Sequence, residues 1–156
     1  MAQRNKSIKV VPVVSASPDY AVDDVLGTKM TLTAASANPG QGALLMAVTM
    51  TSEVDIPAGV YVDLIFFDTN PSNSTFTDNG AIALNVADIP YVVTCVSLAE
   101  RFDFGTPCIL TARNIACPCT PASGGTLYAV AIVRGAATLN LAAVDDIEFF
   151  FHFIQD

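Results

Sequence analysis

His152 is the only histidine in the chain, and it stands within Phe149-Phe150-Phe151-His152-Phe153. On a strand, side chains alternate between faces, so Glu148, Phe150 and His152 would share one side and Phe149, Phe151 and Phe153 the other. A carboxylate and an imidazole on one face can move protons. Neither a G-x-S-x-G turn nor a Cys–His motif supplies a nucleophile beside them, however. The expectation is therefore a hydrogen-bonded or interface histidine in a chain that is not an enzyme and has no catalytic residue or cofactor.

The four cysteines are Cys95, Cys108, Cys117 and Cys119. Zinc sites usually present pairs of ligands spaced C-x2–4-C. Cys117-Pro118-Cys119 has a single residue between its thiols and no second pair to match it, so no metal is expected. Cys95, between valines and threonine, reads as a small buried hydrophobe. Cys117 and Cys119 lie where a strand gives way to a loop and are the candidate disulfide formers. Their partner would be Cys108 within the chain or a thiol of a neighbouring subunit.

Acidic residues cluster at Asp19, Asp23 and Asp24, at Asp145, Asp146 and Glu148, and in Asp68-Thr69-Asn70-Pro71-Ser72. The last begins like a calcium loop but lacks the central glycine and closing glutamate of an EF-hand. Solvated loop charges are the expectation for all three. The net charge of −8 argues against nucleic-acid binding, which needs Lys and Arg to neutralise phosphates. Three of the seven basic residues, Arg4, Lys6 and Lys9, fall in the first nine positions. Residues 1–9 are accordingly expected to be a basic, partner-binding arm leading into the first strand, with residues 10–156 forming one domain. The apolar run that follows contains Pro12 and is shorter than the ~7–15 residues of a signal peptide core, so a mature N-terminus is expected. The longest uncharged stretch, Met30–Ser52, is interrupted by Asn38-Pro39-Gly40-Gln41-Gly42. A membrane span needs about 20 predominantly apolar residues, so none is expected.

The elements that would position these groups are short β-branched or aromatic runs between Gly, Pro, Asn, Asp and Ser. Strands are expected near Ile8–Ser15, Lys29–Ala34, Ala43–Thr51, Val60–Asp68, Tyr91–Val96, Cys108–Ile115, Leu127–Arg134 and Ile147–Ile154. In Ala43–Thr51 the alternation groups Leu44, Met46, Val48 and Met50 on one face. In Leu127–Arg134 it sets Tyr128, Val130 and Ile132 against Ala129 and Ala131. A helical turn is expected between Asp78 and Ile89, stopped by Pro90. The predicted core is Met30, Leu32, Leu44, Met46, Val48, Val62, Leu64, Phe66, Val130, Ile132, Phe149 and Phe151. The fold class is an all-β, single-domain antiparallel sandwich, and about eight strands suit a jelly roll. Only 14% of residues are charged and the mean hydropathy is positive. Such a chain is expected to cover part of its surface with other copies of itself.

Asp63-Leu64-Ile65-Phe66-Phe67-Asp68-Thr69-Asn70-Pro71-Ser72, followed by Thr75-Phe76-Thr77-Asp78-Asn79, resembles a pattern in small virion proteins of tailed bacteriophages. The early Ile8-Lys9-Val10-Val11-Pro12 strand agrees with it, as does the closing Gly125-Thr126-Leu127-Tyr128 to Val133-Arg134-Gly135 segment. The resemblance spans most of the chain and its motifs are structural. It implies a capsid decoration (cement) protein, often a β-sandwich homotrimer, made in the bacterial host cytoplasm and bound to the outer capsid surface. The partner would be the major capsid protein, reached in part by Arg4, Lys6 and Lys9. A tail, neck or fibre component is the structural rival, and a carbohydrate-binding module the rival of another class. The absence of Trp weighs against the last.

Overall fold

A computed structural model describes residues 3–135 and 137–155. Its strands are β1 (Arg4–Val10), β2 (Met30–Leu32), β3 (Ala43–Ser52), β4 (Tyr61–Phe67), β5 (Val92–Leu98), β6 (Glu100–Asp103), β7 (Cys108–Ala112), β8 (Cys117–Cys119), β9 (Leu127–Arg134) and β10 (Ile147–Gln155). One sheet runs β1-β10-β3-β7-β6, with β8 also on β3, and the other runs β2-β9-β4-β5. Every pairing is antiparallel. The fold is thus all-β, one domain of two facing sheets. The chain passes between them at Ala99, where β5 of the smaller sheet leads into β6 of the larger. Among the described residues no helix is long and apolar enough to cross a membrane.

The core between the sheets follows from period-two alternation. β10 turns Ile147, Phe149, Phe151 and Phe153 inward, and β4 answers with Val62, Leu64 and Phe66. Phe66 and Phe151 meet edge to face at 5.9 Å, the arrangement the ring quadrupoles favour. At the end of β10 the Gln155 amide donates to the Ala34 and Ala35 carbonyls at 2.7 and 3.0 Å, satisfying backbone acceptors there.

Several expectations need correction. The first strand begins at Arg4, and its register runs from Arg4 opposite Gln155 to Val10 opposite Phe149. The boundary at residue 9 therefore falls inside β1, and the basic residues are the edge of the larger sheet rather than an arm before it. An edge strand tolerates this composition because one side faces solvent, and lysines there discourage pairing with other chains. Secondly, Pro90 lies within the 3-10 turn Val86–Tyr91 rather than stopping it; Asn85 caps that turn by accepting from the Ala87 N–H. Thirdly, two short strands, β6 and β8, escaped the sequence pattern altogether.

The facing of β3 departs most from expectation. Ala43 and Leu45 are buried, and so are Val48, Met50 and Ser52, while Leu44 and Met46 are half-buried on the outer side. The pairing with β10 skips a residue, going from Ala47 opposite His152 to Leu45 opposite Phe153. A bulge at Met46 reverses which residues face inward beyond it. On the other flank of β3 the ladder is broken at the same level, between β7 and β8, where Asn114 and Ala116 adopt positive φ. Val130 and Ile132 are also displaced from the predicted core. With Val25, Phe67 and Phe76 they fill a second cluster on the outer face of the smaller sheet. The main core receives the small side chains Ala129 and Ala131 instead.

Candidate functional site

Several carboxylates are engaged in joining segments that lie apart in the chain. Asp78 is the clearest case. One of its oxygens accepts from the Tyr20 hydroxyl at 2.6 Å and the Gly27 N–H at 2.7 Å, and the other from the Ser15 hydroxyl at 2.5 Å. Burial raises the Tyr20 hydroxyl well above its ordinary pKa, and the hydrogen bond to Asp78 adds to the rise. Asp88, buried beneath the loop before it, accepts from the Asn73 N–H at 3.0 Å, the Asn73 amide at 2.9 Å and the Ser74 hydroxyl at 2.6 Å. Burial pushes this carboxyl up, but the bonds from Ser74 and Asn73 outweigh it and hold it below the ordinary range.

The acidic clusters do not converge. Asp23 pairs with Arg134, which also donates to Asp63 at 3.0 Å, while Asp24 accepts from the Ala21 N–H at 2.7 Å. Asp146 accepts from the Ala142 and Ala143 N–H groups at 2.6 and 2.8 Å. In the loop that resembled a calcium site, Asn70 accepts from the Lys29 ammonium, and one Asp68 oxygen is buried without a partner. Among the described residues no three His, Cys, Asp or Glu side chains gather as a metal site would require.

No two of the four cysteines are bonded to each other within the chain. Cys108 stands opposite Ser52 of β3, whereas Cys117 stands opposite Leu45 and Cys119 opposite Ala43. Seven residues of strand separate the first two partners, about 23 Å at ~3.3 Å per residue. A disulfide needs Cα atoms roughly 4.4–6.8 Å apart, so this fold does not permit Cys108 to bond either Cys117 or Cys119 of its own chain. Cys119 is buried; that burial, with Cys117 beside it, pushes its thiol up to about 12. Cys95 is exposed on β5 rather than buried, because it lies on the side of the strand opposite the buried Val96 and Leu98.

What remains is a surface. Among the described residues no further layer of strands covers the outer face of the larger sheet. Cross-strand partners lie on one face, and two rows can be read across it. One is Lys9, Phe150, Thr49, Thr111 and Glu100; the next is Glu148, Thr51, Ile109 and Phe102. Lys9 bonds Glu148 at 2.6 Å and lies 5.7 Å from the centre of the Phe150 ring. At the opposite flank Arg113 pairs with Glu100 and lies 5.8 Å from the Phe102 ring. His152, expected to be hydrogen-bonded or at an interface, is exposed on this face opposite Ser7 and Ala47. Beyond it, Leu44, Ile154 and Pro118 line a shallow groove of about 390 Å³.

No family model and no curated protein matches the chain.

The sequence had marked Arg4, Lys6 and Lys9 as one group. Arg4 and Lys6 are exposed on β1, while Lys9 is drawn onto the sheet face by Glu148. The Asp78 and Asp88 nodes went unnoticed in the sequence. Ser15 lies 63 residues from Asp78, and no local pattern joins residues so far apart.

Proposed function

We propose that this chain is a non-enzymatic structural protein of a tailed-phage virion, a decoration or cement protein. It works as a homo-oligomer, the trimer implied by the resemblance, and bridges subunits of the major capsid protein on the outer surface of the head. The observation that carries the reading is the resemblance of Asp63–Ser72 and Thr75–Asn79 to small virion proteins. That segment's role in the fold supports it. Phe66 and Phe67 enter the two apolar clusters, Asp63 bonds Arg134, and Asp78 ties three segments together. These residues of the pattern thus build the domain.

A jelly-roll form of the sandwich belongs to the same proposal. With β6 and β8 set aside as additions, the remaining eight strands divide as β1-β10-β3-β7 and β2-β9-β4-β5. Chain ends pair in one sheet and the next strands inward pair in the other, as when a long hairpin is rolled into two Greek keys. That architecture serves viral capsid and lectin domains, so topology alone does not choose between them. Bridging makes weak contacts sufficient, since linked contacts raise one another's effective concentration.

The test is to add the purified protein to heads that lack it and to image them by cryo-electron microscopy. Density on the outer capsid, with greater resistance of the heads to heat, is expected. Labelling confined to tails or fibres would overturn the decoration role.

A further inference from the structure

We propose that the outer face of the β1-β10-β3-β7-β6 sheet is the surface through which copies of this chain associate. The inference rests on the homo-oligomer of the proposed function and adds where the contact lies.

Charge is the first argument. Copies of a chain with net charge −8 repel one another, so they meet most easily where neither brings net charge. The charged side chains described on this face are Lys9, Glu148, Arg113 and Glu100, and they form two internal ion pairs. The face therefore adds nothing to the −8, and its ion pairs stand at its two flanks. Between them lie threonines, Ala47, the exposed His152 and the partly buried apolar side chains Phe150, Ile154, Leu44, Met46 and Ile109. A centre free of charged pairs with ions at the rim matches the depletion of charged residues in interface cores.

Area is the second argument. Five strands at ~4.8 Å spacing and about eight residues at ~3.3 Å give a flat projection of roughly 600 Å². That is of the order of the ~800 Å² that each partner buries in a standard interface. The face needs no rearrangement to be covered, because its backbone hydrogen bonds are already made within the sheet.

The test is analytical ultracentrifugation of wild type, Thr49→Arg and Phe150→Ser, with Val86→Arg as control. Thr49 sits at the centre of the face, whereas Val86 is 78% exposed on the 3-10 turn away from it. Circular dichroism melts establish that each variant is folded. Wild type and Val86→Arg are expected to be oligomeric at ~10 μM, with both face variants dissociating at least 100-fold more readily. A wild type that is monomeric to ~100 μM would sink the inference together with the homo-oligomer. An oligomeric wild type whose face variants remain equally associated would sink the inference alone. Monomeric wild type whose head binding is lost in Thr49→Arg would assign the face to the capsid instead.

Discussion

Replacing Leu45 and Leu44 by Ala, one at a time, tests whether the bulge in β3 sets the core. Leu45 is fully buried, while its neighbour Leu44 is half-buried on the outer face. Removing a buried leucine loses its transfer free energy and leaves a cavity, which together cost about 2–5 kcal/mol. Leu45 faces the main core, whose density leaves little room for collapse, so about 3 kcal/mol is the expected loss. For a chain of this length each kcal/mol lowers Tm by ~2–4 °C, giving a drop of about 6–12 °C. Leu44 forms no enclosed cavity when shortened and gives up part of the ~1.5–3 kcal/mol of full burial, so its loss is about 1 kcal/mol. Urea denaturation followed by circular dichroism measures both, at one low protein concentration so that association does not enter. The two midpoints should separate widely with unchanged slopes. Equal losses, or a larger loss for Leu44, would mean that alternation continues straight through Met46 and that the bulge is wrongly placed.

Gly135 has φ of 105°, and a Cβ there would overlap the Gly59 carbonyl oxygen. Gly135→Ala should therefore unfold at far lower urea than Gly40→Ala, whose added Cβ meets nothing within 4 Å and whose cost is only the ~1 kcal/mol or so of a strained positive φ. The Tyr20 hydroxyl is raised in the folded state, so the stability it lends is complete below its unfolded pKa of ~10 and is lost as pH climbs through the folded value. Absorbance titration at 295 nm should show one of the four tyrosines ionising only with unfolding, and Tyr20→Phe should remove that late step. Asp88 runs the other way: its lowered carboxyl stabilises the fold above the unfolded value of ~3.9, and that contribution disappears as pH falls through the folded one. Asp88→Ala should open the segment around Asn73 and Ser74 to limited proteolysis, while the circular dichroism of the sheets is retained. With its thiol at about 12, Cys119 should resist iodoacetamide at pH 8 until the protein is unfolded, as read by peptide mass spectrometry.

What the sequence determined was whatever a strand's own residues decide. Alternation and turn residues announced an all-β domain, located β9 at Leu127–Arg134 to the residue, and turned Phe149 and Phe151 inward. The same local rule failed wherever a neighbour had the deciding vote. β1 extends back to Arg4 because β10 offers it a complete ladder, though nothing in Arg4-Asn5-Lys6-Ser7 reads as a strand. β3 reverses its facing at Met46 because the strands on both its flanks break step there. Val130 and Ile132 pack outward because Val25 and Phe76, far away in the chain, arrive to cover them. Asp78 and Asp88 became structural nodes only when folding brought Ser15, Tyr20, Asn73 and Ser74 within hydrogen-bond reach. Side-chain periodicity is a property of one segment, whereas register, bulges and buried carboxylate partners are properties of pairs of segments. Only the tertiary structure brings such pairs together.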